Sequence, residues 1–149
     1  MLKKLAVLAV AASLVTPAIA ADNWLDTAQA INAREIGKRD PSARQMFKRE
    51  GSVAQGKTVS HTVNLRAGKF YGFMADCDYE CNEAKLELVK GGEVLGEMFE
   101  ADNSSPMFGF RAEKSGAYTL KYTITECEKN RCAYSAQVFE GNKEYDLDF

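Results

Sequence analysis

Lys114-Ser115-Gly116 opens onto Ala117-Tyr118-Thr119-Leu120-Lys121-Tyr122-Thr123-Ile124-Thr125. Tyr118, Leu120, Tyr122 and Ile124 alternate strictly with Thr119, Lys121, Thr123 and Thr125. In an extended chain successive side chains point to opposite faces, so this segment is a strand with one apolar and one polar face. The Ser-Gly before it supplies a turn. A half-buried strand of this kind needs a partner sheet to cover its apolar face.

The same signature recurs on both sides. Val59, His61, Val63 and Leu65 alternate with Thr58, Ser60, Thr62 and Asn64, and Arg66-Ala67-Gly68 turns the chain into an aromatic-rich strand from Lys69 to Ala75. Leu86 and Leu88 mark a third strand, Gly91-Gly92 signals a two-residue hairpin, and Val94 to Phe99 returns. Asp102 to Pro106 is a loop, Met107 to Arg111 a fifth strand, and Ala133 to Phe139 the last. Seven or eight short strands punctuated by turns, with no alternating helices, argue for an all-β antiparallel sandwich or barrel over residues 51–140.

Ahead of it the period changes. Leu25, Ala28, Ile31 and Ile36, with Trp24 beside them, fall near one helical face over Asp22–Ile36, with Asn23 as N-cap and Gly37 as stop. Asp40-Pro41 reads as a second helix start, predicting a short helix over Pro41–Lys48. Residues 21–50 are thus expected to be a helical arm, and the polar, acidic tail 141–149 is expected to fray.

Residues 1–20 carry the three parts of a secretory signal: Lys3-Lys4, an apolar run from Leu5 to Val15, and Ala18-Ile19-Ala20. The apolar run is shorter than the ~20 residues of a spanning helix. Cleavage there predicts a periplasmic or secreted protein with no membrane span. Lys3 and Lys4 leave with the signal, so 17 basic residues face 21 acidic ones in the mature chain. That balance gives no footprint for nucleic acid and no polybasic patch for anionic lipid.

The four cysteines, Cys77, Cys81, Cys127 and Cys132, have a spacing that superficially resembles a zinc site. An even number in an exported chain points instead to disulfides. The local pairs Cys77–Cys81 and Cys127–Cys132 are the expected connectivity, with cross-pairing between the two loops as the rival. With consecutive strands antiparallel, both cysteine loops and the Asp102–Pro106 loop fall at one end of the sandwich. That end gathers Asp76, Asp78, Glu80, Asn82, Asp102, Glu126 and Glu128.

Four phrases carry a family resemblance: Leu65-Arg66-Ala67-Gly68-Lys69-Phe70-Tyr71, Ala75-Asp76-Cys77-Asp78-Tyr79-Glu80-Cys81, Ser115-Gly116-Ala117-Tyr118-Thr119-Leu120 and Cys127 to Tyr134. In order and spacing, residues 51–139 resemble the bacterial pre-peptidase C-terminal (PPC) domain. The resemblance implies a jelly-roll-like β-sandwich, an accessory module of secreted enzymes that is not itself catalytic, with calcium bound by loop acids in some members. This chain departs from the pattern in standing behind a helical arm. It also carries Glu83-Ala84-Lys85-Leu86-Glu87-Leu88 where relatives often have an Asp-rich strand.

Calcium takes 6–8 oxygen ligands, and Asp76, Asp78, Glu80 and Asp102 are the candidates. The plainer reading is a solvated acidic loop, because no D-x-D-x-D-G loop is present. His61, the sole histidine, shares a strand face with apolar residues and reads as a hydrogen-bonded core group. The aromatics Phe70, Tyr71, Phe73, Phe99, Phe108, Phe110, Tyr118 and Tyr122 could form a ligand platform, but they alternate on strands and most read as core or same-face packing. No G-x-S-x-G, H-E-x-x-H, P-loop or dinucleotide fingerprint occurs. The sequence therefore predicts a non-catalytic, cofactor-free binding or accessory module that contacts a protein or envelope component through its stapled acidic end. The alternatives are an inhibitor or immunity-type protein that blocks an enzyme, and a hydrolase using loop carboxylates.

Overall fold

The computed structural model describes residues 24–149; the expected signal segment and the Asn23 cap lie outside them. Helix α1 (Trp24–Arg39) is followed by eight strands: β1 (Arg44–Ala54), β2 (Thr58–Leu65), β3 (Phe70–Cys77), β4 (Cys81–Lys90), β5 (Glu93–Met98), β6 (Met107–Arg111), β7 (Gly116–Cys127) and β8 (Arg131–Gly141). They form two four-stranded sheets, ordered β1-β8-β3-β6 and β2-β7-β4-β5. Every paired strand is antiparallel. The chain passes from one sheet to the other at every connection except β4–β5, which is the wrapping of a jelly roll. Gly91 and Gly92 both have positive φ, 59° and 82°, as a two-residue hairpin with this twist requires.

The inner faces carry the alternation read from the sequence. Tyr118, Leu120, Tyr122 and Ile124 of β7 face Tyr71, Phe73 and Ala75 of β3 and Tyr134, Ala136 and Val138 of β8 in one continuous core. His61 lies at its margin, half-buried, its Nε2 2.9 Å from Tyr134 Oη. Burial, and secondarily the charge of Arg49, hold the imidazole below its ordinary value. It is the hydrogen-bonded packing group that its strand face implied.

The two outer faces differ. Thr58, Ser60, Thr62 and Asn64 of β2 remain exposed, whereas α1 lies across β3 and β8 of the other sheet. The buried face of α1 is Ala28, Gln29, Asn32 and Ile36, so its centre is polar. Asn32 Nδ2 donates to Asp76 Oδ2 (2.7 Å) and to Gln137 Oε1 (3.0 Å). Gln137 Nε2 donates to Gln45 Oε1 at 2.7 Å, and Gln29 Nε2 to Glu50 Oε1 at 2.6 Å. Burying amides costs little when each finds a partner, and here they hold the helix in place where an apolar stripe was expected.

Three boundaries differ from the sequence reading. The helix runs through Gly37 to Arg39. Where a helix over Pro41–Lys48 is predicted, the chain forms β1, paired with β8 from Arg44↔Glu140 to Ala54↔Arg131. Asp40 does cap the following turn through Ser42 N and Oγ, but the free edge of β8 offers a full ladder and overrides the local helical signal. The tail does not fray: Tyr145 and Leu147 pack with Ile36, Met74 and Phe139, and the Tyr145 ring meets Phe70 edge-on at 4.8 Å.

Candidate functional site

Antiparallel wrapping brings the β1–β2, β3–β4, β5–β6 and β7–β8 connections to one end of the sandwich, and backbone hydrogen bonds knit them together. Cys77 N donates to Ser104 O (3.1 Å), Asp78 N to Ala133 O (3.0 Å), Glu128 N to Glu80 O (2.8 Å) and Gln55 N to Asn130 O (3.2 Å). Gln55 Oε1 accepts from Cys127 N at 2.9 Å.

The disulfides are the local pairs. Cys77–Cys81 has a Cα separation of 5.7 Å and Cys127–Cys132 one of 6.1 Å. Cys81 and Cys127 are also cross-strand partners, and the sulfurs of Cys77, Cys81 and Cys132 lie within 4.8 Å of one another. The two bridges therefore pack together as one buried staple at the root of the loops. All the cysteines are bonded, so the zinc-like spacing holds no thiolate for a metal.

The acidic residues at this end do different work. Asp76 points to the outer face beneath α1, where burial pushes its carboxyl up against the opposing hydrogen bonds from Asn32 and Ser105. Asp78 Oδ2 accepts from Ala133 N at 2.7 Å; its Oδ1 is buried with no hydrogen-bond partner among the described residues, and burial raises this carboxyl too. Glu80 pairs with Lys129, which holds its carboxyl below the usual value. Asp102 is exposed, at a left-handed turn position with φ 60°. Among the described residues no three carboxylates converge within ligand distance, so the four calcium candidates are separate groups and not one cage.

Three large aromatics are exposed at this end, beside charged residues such as Glu100, Asp102, Glu126 and Glu128. Tyr79, at the tip of the turn closed by Cys77–Cys81, is 68% exposed, Phe99 48% and Trp24 44%. Trp24 belongs to the end because its indole Nε1 donates to Cys77 O at 3.0 Å. The sequence pattern places Trp24 beside the helix's apolar face and Phe99 among packing aromatics, and gives Tyr79 no role. The available signal is an aromatic among the three residues between Cys77 and Cys81, a loop too short to bury it.

Neither a protein-family model nor a curated protein sequence matches the chain. Among solved structures it is similar to PliG of Aeromonas hydrophila, a periplasmic lysozyme inhibitor of g-type lysozyme. The two share 15% identity at a TM-score of 0.46, over 67% of this chain and 89% of that one. The likeness carries nothing about function.

Asp76 yields a prediction with a definite sign. A carboxyl raised on folding contributes most stability below its unfolded value, and loses that contribution as pH rises through the folded one. At neutral pH its charge therefore works against the fold. Asp76→Asn keeps an acceptor for Asn32 and gains a donor toward Ser105. It is expected to raise stability by about 1 kcal/mol at pH 7. The gain disappears near pH 4, a difference that thermal melts at the two pH values read directly.

Proposed function

We propose that this chain is an exported, non-catalytic binding module that contacts a protein partner through its stapled end. The observation that carries the reading is the exposure of Trp24, Tyr79 and Phe99 on loops fixed at the root by two adjacent disulfides. Large aromatics dominate the energy of protein contacts, and holding them rigid before contact removes an ordering cost from binding. Export is supported by the disulfides, which persist in oxidising compartments, and by the signal-like first twenty residues.

A photoreactive side chain at position 79 in the native envelope is expected to cross-link one dominant protein. Tyr79→Ala is expected to weaken that complex tenfold or more while leaving the melting temperature within about 2 °C. Equal cross-linking from position 62, on the exposed face of β2, would refute the assignment of the surface.

The exposed Tyr79 ring, on a turn closed by Cys77–Cys81, favours one refinement, an enzyme inhibitor that inserts this ring into a cleft. If the captured partner is an enzyme, a stoichiometric amount of the protein abolishes its activity and the Tyr79→Ala form does not.

A further inference from the structure

At the end opposite the staples, the β4–β5 hairpin and the β6–β7 turn flank a cleft of about 550 Å³ that opens into the mouth of the sandwich. Its floor is apolar: Leu95, Phe110 and Tyr118, with the Phe110 ring edge-on to Tyr118 at 6.1 Å. Tyr118 is fixed there, its hydroxyl donating to Lys114 O at 2.6 Å. Lys90 and Glu93 stand on one wall and Glu113 and Lys114 on the other. The Lys90 ammonium sits over the Tyr118 ring at 4.1 Å. It reaches across toward the facing turn, where a Cβ on Gly116 would lie 3.1 Å from Lys90 Nζ.

Elsewhere on this surface opposite charges find each other. Lys85 bridges Glu87 and Glu97, Lys129 meets Glu80, and Arg66 meets Glu140. Yet none of the two lysines and two glutamates around this cleft belongs to an ion pair among the described residues. Arg111, which also lines the cleft, is held by Glu144 at 3.4 Å; the four remaining charges balance, which makes the cleft a poor fit for a polyanion or a polycation. Two ammoniums and two carboxylates around an apolar floor complement a ligand that carries one charge of each sign and an apolar body. The volume lies within the range of small-molecule sites.

We infer that the cleft binds a small zwitterion with an apolar side chain, the chemistry shared by a free apolar amino acid and a short apolar peptide. The carboxylate meets the lysines, the ammonium meets the glutamates, and the side chain lies on Leu95 and Phe110. The inference is independent of the stapled end.

A ¹H–¹⁵N NMR titration of the purified protein with phenylalanine and with glycyl-phenylalanine tests it. Saturable shifts are expected in residues 90–95 and 110–118, with a Kd of about 1 mM, as suits so small a ligand. Saturation by both probes points to the shared zwitterion, and saturation by the dipeptide alone assigns the site to peptides. N-acetylphenylalanine and phenylalaninamide, each lacking one charge, are expected to bind at least fivefold more weakly. Lys114→Ala is expected to reduce the penalty for masking the carboxylate at least twofold, and Glu113→Gln that for masking the amine. Both lie on an exposed turn, so unchanged melting temperatures keep these comparisons interpretable. The absence of saturable shifts at 20 mM, shifts centred outside the two segments, or equal affinity for the capped compounds would each overturn the inference.

Discussion

Asp40→Ala is expected to destabilise the protein by about 3 kcal/mol, from the loss of several hydrogen bonds to one buried charge. For a domain of this size that is a fall in melting temperature of about 10 °C. Asp40 is 1% exposed and accepts four hydrogen bonds. Oδ1 takes Ser42 N and Oγ, at 2.9 and 2.6 Å. Oδ2 takes Asn142 N and Lys143 N, at 2.7 and 3.0 Å. One carboxylate thus joins the end of α1, the entry to β1 and the chain leaving β8. Because α1 is held to the sheet largely by amides, this clamp fixes where the helix ends and how the tail starts across the same face.

The site also dictates its neighbour. A Cβ at Gly141 would lie 2.3 Å from Asp40 Oδ2, so Gly141→Ala must displace the carboxylate. In the Asp40→Ala background the methyl group has room, and the second substitution is expected to cost clearly less than it does alone. The pH dependence has a fixed sign. The four hydrogen bonds hold the Asp40 carboxyl well below the usual carboxylate range despite its burial. A depressed carboxyl contributes stability that is complete above its unfolded value of about 3.9 and is lost as pH falls through the folded one. The gap between wild type and Asp40→Ala, measured by urea melts, is therefore expected to be constant from pH 6 to 8 and to close in acid. That is opposite in direction to the effect at Asp76.

These two aspartates show where the sequence was readable. The strands with one apolar face, Thr58–Leu65 and Gly116–Cys127 above all, were legible because burial on one side writes a period of two into the chain. The Gly91-Gly92 hairpin was legible because its geometry is local. Strand β1 was not: it is an edge strand with Arg44, Gln45, Met46 and Lys48–Ser52 exposed, so nothing in its composition reports the ladder it makes with residues 131–140. The helix was found, but its contact face was misjudged, because Gln29 and Asn32 are buried by partners more than twenty residues distant. For the same reason the acids of the stapled end looked like one cluster in sequence. Strand pleating and loop hydrogen bonds send Asp76 to the helix, Asp78 to the β8 backbone and Glu80 to Lys129, leaving Asp102, Glu126 and Glu128 exposed beside the aromatics.

Replacing all four cysteines with alanine is expected to cost about 4 kcal/mol, roughly 2 kcal/mol for each short loop by chain entropy. Backbone hydrogen bonds also tie these loops, so the contributions of the two mechanisms must be separated. The staple fixes Cys77 and Cys81 at the base of the Tyr79 turn, whereas the bonds that Asp78 N donates to Ala133 O and that Glu80 O accepts from Glu128 N only hold the turn once it has formed. Opening the Cys77–Cys81 bridge alone is therefore expected to lower the melting temperature by about 7 °C. It should also free the backbone of residues 78–80, seen as a drop in their NMR order parameters, while the β2–β7 ladder stays unchanged. On the proposed function, a loosened turn must be ordered again on contact, so partner affinity is expected to fall more than tenfold even at temperatures where the variant is fully folded. A variant that loses stability but keeps full affinity would show that the staple serves the fold alone and that the contact surface lies elsewhere.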